Sequence, residues 1–86
     1  MDVLLTQPML DALKATPEIP DNLKQCVASS KQNGDSFAMT LDEDEAMAMT
    51  EMCQWYIKKD PVTGKYGAKA ELFNGIVRAI YAAQDA

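Results

Sequence analysis

Four consecutive acidic residues, 42–45, are the densest group of potential metal ligands in this chain. Carboxylate oxygens bind hard cations such as Mg²⁺ and Ca²⁺, so this run could in principle hold an ion. It follows Thr40, however, and Thr40 and Glu43 have the spacing of a capping box at the start of a helix. On consecutive helical positions the four side chains radiate around the axis and do not converge on one ion. We therefore interpret the acids as partners of the positive end of the helix dipole.

A second acidic spacing imitates a calcium-binding loop between two helices. Asp60 and Glu71 are separated like the first and last ligands of such a loop. The interior does not fit, because Val62 and Gly64 stand where oxygen ligands are needed and Lys65 replaces the central glycine. Asp-Pro and Thr-Gly pairs are typical of turns, so we interpret this segment as a helix–helix connection without a metal.

The chain lacks the residues on which most catalytic and metal sites are built. It contains no histidine, the commonest general base and metal ligand. Cys26 and Cys53 lack the paired spacing of a zinc site or a redox motif. Both fall on predicted apolar helix faces, which favours buried, reduced thiols over a disulfide. We therefore expect a protein that is not an enzyme and that uses no cofactor or metal.

The tetrapeptide Gly34-Asp35-Ser36-Phe37 resembles the Asp-Ser-Leu attachment site of acyl carrier proteins, which are also small, acidic and all-helical. The resemblance covers these four residues and the general character of the chain. It implies that Ser36 would carry a phosphopantetheine arm. The chain departs from that family because its best helix cap is Thr40 rather than the serine, and because the long loop before the motif is missing. The alternative is a turn in which Asp35 and Ser36 follow the end of a helix.

Hydrophobic spacing predicts an all-α fold with four helices. The first helix begins at Thr6 and ends near Ala15. The second runs from Pro20 to about Gln32, where the pair Asn33-Gly34 is a C-terminal signal because both residues tolerate the left-handed conformation. Both helices are short, so we predict that they pack on a larger helical unit.

That larger unit is a predicted helical hairpin. The third helix covers about 41–59 and the fourth about 68–84, and the short connector between them requires an antiparallel pair. The sequence leaves open a short extended segment at 35–39, where Phe37 and Met39 alternate with small or polar residues.

Two large apolar residues of the third helix lie away from its apolar face. Met47 falls in the middle of the polar face, and Trp55 lies at its border beside Ala48. Met and Trp are enriched where proteins bury each other's surfaces, so we predict an interface that contains Met47, Ala48, Glu51 and Trp55. The alternative is that the methionines fill an irregular core and the first helix covers Trp55. The predicted apolar face itself consists of Leu41, Ala46, Met49, Met52, Cys53, Tyr56 and Ile57.

Composition limits the size, partners and location of the protein. A chain of 86 residues predicts one domain, 1–86, with a modest core, and 48% hydrophobic residues with 24% charged ones are typical of a globular protein. The net charge of −5 argues against nucleic acid and anionic membranes, which are bound through lysine and arginine. The chain has no apolar run of membrane-spanning length, and the N-terminal MDVLLTQP lacks the features of a signal peptide, so we expect a cytoplasmic protein.

These features predict a small acidic domain that binds another protein or associates with itself. A homodimer is one form of this prediction, because pairing two apolar faces buries area that one small chain leaves exposed. Two other function classes remain as alternatives: an acyl-carrier-like protein modified on Ser36, and an acidic inhibitor that imitates nucleic acid. The inhibitor predicts rows of carboxylates over one surface, whereas this chain concentrates them near Glu43.

Overall fold

The computed structural model describes residues 1–57 and 61–85, and within them it combines four helices with a three-stranded antiparallel sheet. The all-α prediction is therefore wrong, because three segments pair as strands. Two of them, 2–5 and 36–40, lie outside the predicted helices, and the third, 31–33, overlaps the predicted end of the second helix. In chain order the elements are β1 (Asp2–Leu5), α1 (Gln7–Lys14), α2 (Asp21–Ala28), β2 (Lys31–Asn33), β3 (Ser36–Thr40), α3 (Glu43–Tyr56) and α4 (Ala68–Asp85).

The central strand of the sheet is β3, which pairs antiparallel with β1 on one side and with β2 on the other. Val3 lies opposite Met39 and Leu5 opposite Phe37, so these side chains share one face of the sheet. Val3, Leu5 and Met39 are buried. α4 packs against β1, while α1 and α2 pack against β3. The core therefore lies between one face of the sheet and the helices.

The hairpin of β2 and β3 replaces the predicted end of the second helix. α2 ends at Ala28, and Asn33 and Ser36 face each other across the two-residue turn Gly34–Asp35. Gly34 has a φ of 65°, and glycine at the first position of a two-residue turn is typical of a β-hairpin. The Asn33-Gly34 pair does reverse the chain, but it joins two strands instead of closing a helix.

The capping box of α3 lies two positions later than predicted. Asp42 is the N-cap: its Oδ1 accepts a hydrogen bond from the Glu45 N–H (2.7 Å), and Glu45 Oε1 accepts one from the Asp42 N–H (3.0 Å). Thr40 instead ends β3, and its hydroxyl donates to Asp2 Oδ1 across the sheet (2.8 Å). The predicted cap at Thr40 with Glu43 is therefore wrong, because Thr40 belongs to the strand. The predicted last turn, with Lys58 and Lys59, lies outside the described residues.

We expect the two positions to differ in their effect on stability. Asp42→Ala removes an N-cap acceptor and should lower the free energy of unfolding by about 1 kcal/mol. Thr40→Val keeps a β-branched strand residue and loses one exposed hydrogen bond, so its effect should stay below about 0.5 kcal/mol. Urea unfolding of both variants measures the difference. A larger loss of unfolding free energy for Thr40→Val than for Asp42→Ala would indicate that Thr40 is the N-cap.

α3 and α4 pack against each other as the predicted antiparallel pair, and the four predicted helices, two of them short, are also present among the described residues. The Tyr56 ring, at the end of α3, stacks on the Phe73 ring near the start of α4, with centroids 4.9 Å apart. At the opposite end, Glu43 and Gln84 line the same groove. α4 turns the buried side chains of Phe73, Ile76, Val77 and Ile80 to the core, as its apolar spacing predicts. The same spacing also predicts Leu72 and Ala83 on this face, but both are only half-buried.

Candidate interaction surface

The surface of α3 exposes two large apolar side chains. Trp55 exposes 74% of its surface and Met47 exposes 62%. The opposite side of the same helix buries Ala46, Met49 and Cys53 in the core. The alternative in which the first helix covers Trp55 does not hold, because three quarters of this side chain remains accessible to solvent. α3 therefore places a tryptophan and a methionine outside the core, two helical turns apart.

Trp55 borders an open groove of about 740 Å³, which we call the Trp55 groove. One wall comes from α3 and the other from the turn between α1 and α2. Within the groove Ala48, Met52 and Tyr56 are half-buried, whereas Trp55 and Glu51 are exposed. Among the described residues, the groove is lined by Glu18, Pro20, Ala48, Glu51, Met52, Trp55 and Tyr56. Three of the four predicted interface residues thus lie on one groove.

The fourth predicted residue, Met47, lies on a neighbouring groove of about 480 Å³ between α3 and α4. The exposed ring of Tyr81 on α4 also lines this groove. Glu51 lines both grooves, because it is one turn from Met47 and one turn from Trp55. The predicted surface is therefore a ridge of α3 with a groove on each side, and Glu51 stands at its centre.

The far wall of the Trp55 groove was not predicted. Glu18 and Pro20 belong to the turn that Pro17 and Pro20 signal in the sequence. The position of this turn beside α3 depends on how α1 and α2 pack on the sheet. Because that packing joins residues far apart in the chain, no local signal in the sequence identifies Glu18 as a neighbour of Trp55.

A second polar cluster joins α2 to the start of α3. The Cys26 thiol donates a hydrogen bond to Glu45 Oε2 (3.0 Å), while the other oxygen of this carboxylate closes the capping box. Burial and the adjacent Glu45 carboxylate raise the pKa of Cys26 to about 11. The hydrogen bond from the Asp42 N–H, and then that from the thiol, lower the pKa of Glu45. The arrangement keeps the thiol protonated and therefore makes Cys26 a poor nucleophile.

Thiol alkylation tests this arrangement. Raising the pKa of Cys26 from 9.0 to about 11 lowers its thiolate fraction at pH 7 about 100-fold. We expect alkylation of Cys26 in the folded protein to be slower by about this factor than in the urea-unfolded chain, as followed by mass spectrometry. Glu45→Gln should accelerate the reaction because it removes the adjacent charge. Glu43→Gln is the control, and equal rates in the two variants would contradict the role of Glu45.

The same thiol gives a pH dependence of stability. Because its folded pKa is raised, Cys26 contributes stability that is present below pH 9 and lost as the pH rises towards 11, where the unfolded chain releases the thiol proton first. Urea unfolding across this range should show a fall that is shallower in a Cys26→Ser variant. An identical pH profile for the variant would contradict this contribution.

The remaining candidate sites do not assemble into a reactive centre in the described part of the chain. Cys26 and Cys53 are both free, and burial raises the pKa of Cys53 to about 12. Among the residues that the structure describes, no three His, Cys, Asp or Glu side chains are grouped to hold a metal ion. Asp60, the first ligand of the rejected calcium loop, lies outside those residues. Ser36 opens β3 and is half-buried, whereas the carrier resemblance would place it at the start of the acidic helix.

The chain finds no match among protein-family models, curated proteins or solved structures. None of the helices in residues 1–57 and 61–85 combines the length and apolar character that a membrane span needs.

Proposed function

We propose that this chain is a non-catalytic protein-binding domain that acts in the cytoplasm and binds its partner through α3. The binding surface consists of Met47, Ala48, Glu51 and Trp55 together with the two grooves beside them. The partner is another protein or a second copy of the chain. Free cysteines support a reducing compartment.

The observation that carries this proposal is the exposure of Trp55 beside a groove. A small domain has few large apolar side chains with which to build a core, and this chain has a single tryptophan. It nevertheless leaves 74% of that side chain accessible to solvent. Tryptophan is among the residues most enriched in the energetic centres of protein interfaces, especially beside a pocket that the partner can fill. The core of α3 is complete without it, since Ala46, Met49 and Cys53 already fill the buried side.

Retention of partners by variants tests the proposal. Met47→Asp combined with Trp55→Ala removes both exposed apolar side chains and should change the free energy of unfolding by less than about 1 kcal/mol. We expect this variant to lose proteins that the unaltered chain retains from a lysate of the source cells, or to abolish a dimer seen by sedimentation.

Leu4→Ser is the matched control. Leu4 is also a large exposed side chain, at 55%, but it lies on the face of the sheet opposite the core, away from α3. The control should retain every partner. A chain that sediments as a monomer and retains the same proteins in all three forms would remove the proposed function.

A further inference from the structure

We infer that the Trp55 groove binds a basic amphipathic segment of a partner protein, rather than a second copy of this chain. This inference rests on the proposed function and specifies the chemistry of the partner at the same surface.

The shape and burial of the groove suit an amphipathic segment. Ala48, Met52 and Tyr56 are half-buried and form an apolar base of about two helical turns along α3. Trp55 stands at one end of this base and is largely exposed. A helix laid into such a groove inserts one apolar face and keeps its polar face outside. The partner segment therefore needs apolar side chains at helical spacing.

The charges around the groove indicate which charge the polar face of the partner segment carries. Glu18 on the turn and Glu51 on α3 line opposite walls, and the lining residues that the structure describes include no lysine or arginine. One turn before Ala48 on α3, the exposed Asp44 extends the acidic side towards the N-terminus of the helix. The chain as a whole carries a net charge of −5. Lysine or arginine beside the apolar side chains would pair with these carboxylates, and the overall charge would accelerate the approach of a basic partner.

Symmetry argues against a second copy at this surface. A two-fold dimer uses the same patch on both subunits, so a residue near the centre of the patch faces its own counterpart. Glu51 occupies that centre, because it lies between Met47 and Trp55 and borders both grooves. A symmetric dimer here would bring two Glu51 carboxylates together, and like charges in an interface disfavour association. A basic partner reverses the sign of this interaction.

Selection from a random peptide library tests the charge of the occupant. The library is displayed on phage, selected on the immobilised protein and depleted on the Trp55→Ala variant, so that only peptides dependent on Trp55 remain. We expect the enriched peptides to combine apolar residues with an excess of lysine and arginine over the starting library. Enrichment without this excess would overturn the inference and leave the proposed function intact. No Trp55-dependent enrichment would count against both.

Charge reversal at the groove is the second test of the inference. For synthetic versions of the enriched peptides, Glu18→Lys with Glu51→Lys should weaken binding about tenfold or more. Glu71→Lys with Asp85→Lys changes the net charge equally at exposed positions of α4 that line neither groove, and should leave binding within about twofold. Equal weakening of peptide binding by both double variants would show that only the overall charge matters, and it would overturn the inference. A dimer in sedimentation that Trp55→Ala abolishes would also overturn it, because the occupant would then be a second copy.

Discussion

Replacing Phe73 with alanine is expected to lower the free energy of unfolding by about 3–5 kcal/mol. Phe73 is completely buried on α4, and its ring stacks on Tyr56 of α3 with centroids 4.9 Å apart and an interplanar angle of 20°. The substitution removes this contact between the two long helices and leaves a cavity in the core. Domains of this size have a total stability of about 5–10 kcal/mol, so the variant should be close to unfolded.

Urea unfolding followed by circular dichroism measures the effect. Tyr81→Ala is the matched control, because it truncates an aromatic side chain of the same helix that is 48% exposed. The control should lose less than about 1 kcal/mol, since truncation at an exposed site leaves no cavity. Similar unfolding midpoints for the two variants would show that Phe73 does not occupy the position in the core that the structure gives it.

The existence of the four helices could be predicted because their signals are local, although the predicted start of α3 and end of α2 were wrong. Thr6 caps α1 by accepting a hydrogen bond from the Met9 N–H, as the sequence indicates. The apolar spacing of α4 places Phe73 and Ile80 in the core. In each case the residues that determine the structure lie within one or two turns of each other, so periodicity and capping are sufficient to find it.

β1 and β2 could not be predicted because their signals depend on pairing, whereas the alternation at 35–39 left open an extended segment where β3 lies. All three residues of β2 are exposed, so this strand has no apolar pattern. β1 alternates between exposed and buried residues in the structure, but its exposed Leu4 is apolar, so the sequence does not show the alternation. Its partner β3 lies more than thirty positions later, where Val3 meets Met39. Such short strands are stable only as part of the assembled sheet, and a strand pair between distant segments leaves no local signature.

The candidate interaction surface could also be predicted only in part. Helical periodicity alone places Met47 and Trp55 off the core face of α3, and both side chains are exposed in the structure. The groove beside Trp55 requires Glu18 from a different element, so it emerges only when the turn after α1 packs beside α3. The exposed residues of α3 can therefore be predicted from the sequence, whereas the shape of the groove beside them depends on the tertiary fold.

Replacing Ala38 with proline separates the mixed fold from the all-α interpretation. Ala38 lies in the middle of β3 and is paired with Leu4 on one side and Lys31 on the other. Proline removes a backbone donor from the central strand and is tolerated in sheets only at edges or bulges. Because Phe37 is already extended, the loss comes from the hydrogen-bonded ladder and not from strain in the preceding residue. We expect a loss on the order of 3 kcal/mol or more, large enough to unfold much of the protein.

A proline at the start of α3 is the matched control. Glu43 is the first residue of this helix, where the N–H has no partner within the helix and proline is favoured. The preceding Asp42 is extended, with φ −84° and ψ 178°, which a following proline accepts. Glu43→Pro should therefore stay within about 1 kcal/mol of the unaltered chain in thermal unfolding. An all-α fold would place Ala38 in a connector and reverse the order of the two effects, so an Ala38→Pro variant as stable as Glu43→Pro would contradict the central position of β3.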